Sequence, residues 1–228
     1  MINALLSLLQ VTDPALPIGG YAHSAGLETY VQKGIVKDMP TANTFITAML
    51  AYNLKYTDAA LLSLAYDAVK NNDLEKLISL DQLCNAVKLP FEMRQASQKI
   101  GMRLIKIFSG MVEDDITTKY LNAIETKVCY GHYSIALAVY GFCLKIDKQS
   151  LLNGFYYNAA AGFVTNSVKL IPLGQLDGQK ILFCLQPLIT KLVEESLHVD
   201  ETLIGFCCTG FDIRSMQHEQ LYSRLYMS

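Results

Sequence analysis

Charge is scarce in this chain of 228 residues: Asp, Glu, Lys and Arg make up 18% of it, against about 25% in an ordinary soluble domain. With a mean hydropathy of +0.24, few charged side chains are available to coat a surface, which favours a protein that buries surface in an assembly. Lysine and arginine form no run and the net charge is −2, so a patch able to neutralise phosphates is missing and nucleic acid is not an expected partner. The opening MINALLSLLQ has no basic region, and Asn3, Ser7 and Gln10 break its apolar run, unlike a secretory signal. The expected location is the cytoplasm. No C-x-x-C pair occurs among the six cysteines Cys84, Cys129, Cys143, Cys184, Cys207 and Cys208, which read as reduced core residues and not as a disulfide framework.

Linkers, repeats and low-complexity segments are absent too, while 51% of the residues are hydrophobic. The expectation is therefore one domain spanning residues 1–228, an all-α helical bundle with residues 205–228 as a C-terminal docking tail. Helical periodicity recurs almost everywhere. From Thr41 to Val69, preceded by Pro40 at a helix start, the apolar residues return every three or four positions, as one long helix or two in tandem. Pro90 opens a segment to about Phe108, and Gly110 with Glu113, Asp114 and Asp115 punctuates the next turn. Asp147 is placed to cap the longest uncharged stretch, residues 149–168. That stretch is long enough to span a bilayer, but Gln149, Ser150, Asn153, Asn158, Thr165, Asn166 and Ser167 would be costly in lipid. It reads as a buried central helix, and no membrane association is expected. Asp177 is the expected cap of the following helix, which Pro187 should kink or end. Residues 128–144 are rich enough in β-branched and aromatic side chains to pass for a strand, but length and the small residues Gly131, Ala136, Ala138 and Gly141 favour a closely packed helix.

Three segments carry the motifs. LPIGGYAHSAG (residues 16–26) has Gly19, Gly20 and Gly26 out of register for a dinucleotide loop. It comes close to a nucleophile elbow at Ser24, with Ala in place of the first glycine, but no strand precedes it. The plainer reading is a tight turn feeding a helix that begins near Ser24, with Glu28 in its first turn. GQLDGQK (residues 174–180) is no Walker loop, because its glycines stand one residue too close and Gln179 separates Gly178 from Lys180; nucleotide binding by this chain is not expected. At the C-terminus, FDIRSMQHEQLYSRLYMS (residues 211–228) sets Ile213, Met216, Leu221 and Leu225 at roughly helical spacing among charged residues, as a helix with a docking face. His218-Glu219 is followed at the zincin position by Tyr222, so no metalloprotease motif exists. Cys207, Cys208 and His218 offer a weak thiolate and imidazole set, against the plainer reading of small filler.

DPALPIGGYAHSAGLE (residues 13–28), VKLIPLGQLDGQ (residues 168–179) and the C-terminal segment (residues 211–228) together resemble the UreF family of urease accessory proteins, in order and from end to end of the chain. Leu176 stands where the family more often has Thr, Thr209-Gly210 where a proline is usual, and Ser134 where a proline is frequent. The resemblance implies an all-α, non-enzymatic chaperone that dimerises and bridges a GTP-hydrolysing nickel carrier (UreG) and a scaffold (UreD, also called UreH) that contacts apo-urease. Nickel would be handled by the assembly, with no cofactor held stably by this chain. Carried over residue by residue, the partner-binding set is Gly19, Gly20, Ser24, Glu28, Lys169, Gln175, Asp177, Gln179, Asp212, Arg214, Ser215, His218, Glu219, Tyr222 and Arg224. The alternatives are a helical serine hydrolase using Ser24 with His23 or His132, and a generic helical adaptor.

Overall fold

In the computed structural model the described residues are 2–20, 23–206 and 208–227. They form an all-α fold, with no strand among them. Its innermost helix is α8 (Tyr133–Cys143), the segment with strand-like composition. Ile135, Ala136, Leu137, Ala138 and Val139 are all fully buried, so this helix is apolar on every side, as a helix enclosed by others must be. It lies between α4 (Ala60–Lys70) and α6 (Phe91–Phe108). The large aliphatic side chains among these contribute roughly 1.5–3 kcal/mol each by leaving water.

The second organising element is α9 (Lys148–Leu170), capped by Asp147, whose side chain accepts the Ser150 amide. Its residues Leu151, Leu152, Phe155, Tyr156, Ala160, Phe163 and Val164 are buried. Around it pack α1 (Ala4–Val11), α2 (Leu27–Gln32), α3 (Met39–Ala48), α10 (Gln175–Cys184) and α11 (Gln186–Leu197). Pro187 at the second position of α11 marks the break from α10, where its missing N–H is harmless. Among the described residues no helix is long and apolar enough to cross a membrane.

Several local expectations need correction. The first helix of the glycine-rich segment starts at Leu27 with Gly26 as its cap, because Ala25 and Gly26 take left-handed conformations. Ser24 instead accepts the Glu28 amide from inside the turn, at 3.5 Å. The α10 cap is Gly174, and Asp177 lies in the first turn, paired with Lys180 at 3.3 Å. The long helix opened by Pro40 does run through, but α3 passes into a π-helical stretch, Met49–Ala59, before α4. In that wider spiral the Tyr56 carbonyl accepts the amide of Gly205 from the segment that leads to the tail. Gly205 has φ +77°, and a Cβ there would lie 2.7 Å from Val87 Cγ1, so only glycine makes this approach. Of the cysteines, Cys84, Cys129 and Cys143 are buried as expected, whereas Cys184 is exposed and Cys208 half-buried. Cys207 lies outside the described residues.

The remaining helices follow from ordinary caps. Asp73 opens α5 (Leu74–Val87). Asp114, in a reciprocal box with Thr117, opens α7 (Asp115–Glu125). The last helix, α12 (Thr209–His218), rests on α2 and α6.

Candidate interaction site beneath the C-terminal tail

Glu28, at the second position of α2, is 5% exposed. A carboxylate at a helix N-terminus is favoured by the helix dipole, but burial at this depth demands partners as well. All three that close over it come from the tail. The amides of Leu225 and Tyr226 donate to it at 2.8 and 3.2 Å, and His218 Nε2 lies 3.3 Å away. The other ring nitrogen, Nδ1, is 2.8 Å from Glu92 on α6, which also receives Arg224 Nη1 at 2.6 Å. The ring thus bridges the two carboxylates, and the carboxylates also take bonds assisted by their charge from the tail amides and from Arg224. Such charge-assisted bonds are about twice as strong as neutral ones. Gln32 adds a bond to the Ser223 carbonyl at 3.0 Å. Tyr226 is buried beside Glu28, and burial followed by the Glu28 charge raises its phenol pKa above the ordinary value.

The glycine-rich turn explains how α12 approaches. At Gly26, with φ +78°, a Cβ would stand 2.7 Å from Ser215 Oγ and 3.5 Å from the Phe211 ring. The missing side chain lets α12 lie flat on the start of α2, and Phe211, Ser215 and His218 form the buried seam. Asn166 on α9 steadies the same turn by donating to the His23 carbonyl at 2.9 Å. Tyr21 and Ala22, within this motif, lie outside the described residues.

The tail thus lies on its own bundle, with a face opposite to the expected one. Ile213, Met216 and Leu225 are 46%, 42% and 65% exposed, and Tyr222 is fully exposed. Of the expected docking stripe only Leu221 is half-buried. Arg224 is bound to Glu92, and Arg214 to Gln217 at 2.9 Å. Glu28, Ser215 and His218 are buried as the latch itself, while Glu219 is exposed and Asp212 half-buried. Ser24 is fully buried.

The second expected cluster sits at the junction of α9 and α10. Lys169, Gln175 and Gln179 are exposed there and Asp177 is half-buried. Gly178 brings α10 close to α9, since a Cβ would already touch Val164 and Val168 at 3.0 Å. Lys169 stands one turn beyond Asn166, which links this cluster to the glycine-rich turn. Gly19 lies against Arg103, whose Nη1 donates to the Ile18 carbonyl at 3.2 Å, and Gly20 is exposed.

Sequence reasoning missed Glu92, Gln32, Asn166 and the seam residue Phe211. Glu92 had no local signal, since its partners lie 126 and 132 residues away. The hydrolase alternative gains nothing from the geometry. Ser24 Oγ accepts an amide, and the His132 ring is held by Ser97 at 3.0 Å and Asn85 at 3.4 Å.

Comparison with known proteins decides the family. Residues 36–186 match the family model described as UreF. The chain is 47% identical over 227 residues to the urease accessory protein UreF of Actinobacillus pleuropneumoniae serotype 5b (strain L20), covering 100% of both chains. The chain belongs to the UreF family. The same-named protein of Haemophilus influenzae (strain PittEE) is 45% identical over 100% of this chain and 97% of its own length. That of Bacillus sp. (strain TB-90) is 34% identical over 100% of both chains. This is a family of urease accessory proteins and not of enzymes.

Proposed function

We propose that this UreF-family chain is an assembly chaperone that joins a GTP-hydrolysing nickel carrier to a scaffold on apo-urease, and so promotes nickel insertion. The observation that carries this reading is the tail. The buried carboxylate of Glu28 and the half-buried one of Glu92 fix the path of α12 and the residues after it, and so hold Ile213, Met216 and Leu225 outward in a set geometry. An ordered apolar face of this kind suits a protein partner, and the scaffold is the partner proposed for it. Lys169, Gln175, Asp177 and Gln179 form the polar face proposed for the GTPase. Exposed Leu5, Leu6 and Leu9 on α1, with Leu176 and Phe183 on α10, supply apolar surface for a homodimer. The nickel is cargo of the assembly and not a resident cofactor, and the complex works in the cytoplasm.

The test is reconstitution with urease subunits and the other accessory proteins. The full chain should be captured by the scaffold and should restore urease activity. Lys169→Ala with Gln175→Ala should lose the GTPase but keep the scaffold. Capture of neither partner by the intact chain would overturn the reading.

A further inference from the structure

A feature that neither the tail nor the α9–α10 junction uses lies along the outer face of α6. Lys99 and Arg103, four residues apart, stand on one side of the helix, and Lys127, just beyond the end of α7, faces them across a shallow basin of about 680 Å³. Met102, Ile124 and Tyr130 line its floor, and Met102 and Tyr130 are 37% and 45% exposed.

No carboxylate lines the basin. Among the described residues Lys99, Arg103 and Lys127 make no ion pair. Two partly buried lysines elsewhere are closely paired, Lys88 with Asp58 and Lys148 with Asp67. The charge of Lys99 and Arg103 reaches the glycine-rich turn: burial, then these two cations, hold the His23 imidazole below its ordinary pKa, against an opposing pull from Glu92. Arg103 spends one of its N–H groups on Ile18 and keeps others from its five-donor fork.

We propose that this basin docks an acidic segment of another protein, one that places an apolar side chain on Met102 and Tyr130 while flanking carboxylates meet Lys99, Arg103 and Lys127. Charge complementarity selects the occupant, because cations ringing an apolar floor match alternating carboxylates and aliphatic groups. A phosphate or nucleotide fits less well. Such ligands are held by successive backbone N–H groups or a helix N-terminus, whereas side chains of the middle of α6 and the end of α7 make this basin. A thiolate metal site is not the alternative either, since among the described residues Cys129 is the one thiol in the lining and no histidine or carboxylate accompanies it there.

The experiment uses the full chain and a fluorescein-labelled peptide alternating Glu and Leu, read by anisotropy. Binding should saturate and weaken as salt is raised from about 0.05 to about 0.3 M. Lys99→Glu with Lys127→Glu should raise Kd at least about tenfold, and Met102→Ser should raise it severalfold. Both lysines are exposed, and circular dichroism checks that the variants stay folded. Reversal of the distant exposed pair Lys37 and Lys70 to Glu should leave Kd unchanged. Equal weakening by that control pair, or equal binding of an all-Glu peptide, would overturn the proposal. So would basin-dependent binding to phosphatidylserine vesicles or inorganic phosphate in the absence of peptide binding.

Discussion

The carboxylate of Glu28 accepts the backbone N–H of Leu225, 197 residues further along the chain, at 2.8 Å. One buried side chain on a short helix thereby decides where the C-terminus lies. Glu28→Ala removes the acceptor for two amides and an imidazole. Hydrogen bonds to a charged group contribute roughly 1.5–3 kcal/mol each, so the tail should leave the bundle and not remain with its donors unpaired. Trypsin reports this directly, because Arg214 and Arg224 lie in the tail. The parent chain should resist cleavage at both, and Glu28→Ala should be cut at both while the rest stays helical. Glu28→Gln, which keeps one acceptor oxygen, should fall between. Equal resistance of parent and Glu28→Ala would show that the latch does not hold the tail.

Gly26→Ala should act on the same contact from the other side. The added Cβ meets Ser215 Oγ at 2.7 Å in a backbone conformation with φ +78°. Strain and overpacking together should cost about 1–3 kcal/mol. Gly26→Ala with Ser215→Gly removes the clash but not the strain, so it should recover part of the loss in a thermal melt. Full recovery would mean that the left-handed backbone costs nothing here.

Legibility in the sequence was uneven, for a physical reason. The start of α6 after Pro90, the Asp147 cap of α9 and the break at Pro187 were readable because caps and proline act within a few residues of themselves. The tail helix was readable as a helix, but not its orientation. A stripe such as Ile213, Met216 and Leu225 says that a helix has an apolar face, without saying what covers it. The seam that is buried consists of Phe211, Ser215 and His218, and two of these score as polar because their burial depends on Gly26 and Glu28. Glu92, Asn166 and the Tyr56–Gly205 bond join positions far apart in the chain, and no local pattern announces them. The helix starts at Gly26 and Gly174 are hidden for a related reason: nearby Ser24 and Asp177 are good cappers by type, but the backbone turns at the glycines.

Stability should fall on mild acidification because of His132. Its ring is fully buried, and burial holds its pKa down at about 4, although Asp81 pulls the other way. The unfolded chain binds a proton below about 6.5 while the folded chain does not until about 4. The unfolded state therefore holds more protons in that window, and stability present above about 6.5 is lost as pH falls to about 4. The full effect is roughly 3 kcal/mol. Urea unfolding at about pH 7 and about pH 5 measures the slope. His132→Gln should be less stable at both values but with a flatter dependence. An unchanged slope would assign the acid sensitivity elsewhere.

Lys88 and Asp58 form an ion pair at 2.6 Å with side chains 9% and 11% exposed. Lys88→Met should cost about 3–5 kcal/mol, because it leaves a buried carboxylate uncompensated. Asp58→Leu with Lys88→Met should recover most of that, since two apolar side chains need no partner. Denaturant midpoints separate the cases, and a double variant as unstable as the single one would mean that the pair also holds the π-helical stretch in shape.

The exposed face of the tail gives the test that separates folding from partner binding. Ile213 and Met216 are 46% and 42% exposed and lie outside the seam formed by Phe211, Ser215 and His218. Ile213→Ser with Met216→Ser should therefore shift stability by no more than about 0.5 kcal/mol and leave Arg214 and Arg224 resistant to trypsin. If the tail is fixed in order to present this face, the same variant should lose capture by the scaffold and lower urease activation. Glu28→Ala should lose capture by a different route, through release of the whole segment. Adding salt separates them further: a contact made by Ile213 and Met216 should persist at about 0.3 M, where exposed charge pairs are screened. Undiminished capture by the doubly substituted chain would place the scaffold on another surface and leave the latch a purely structural device.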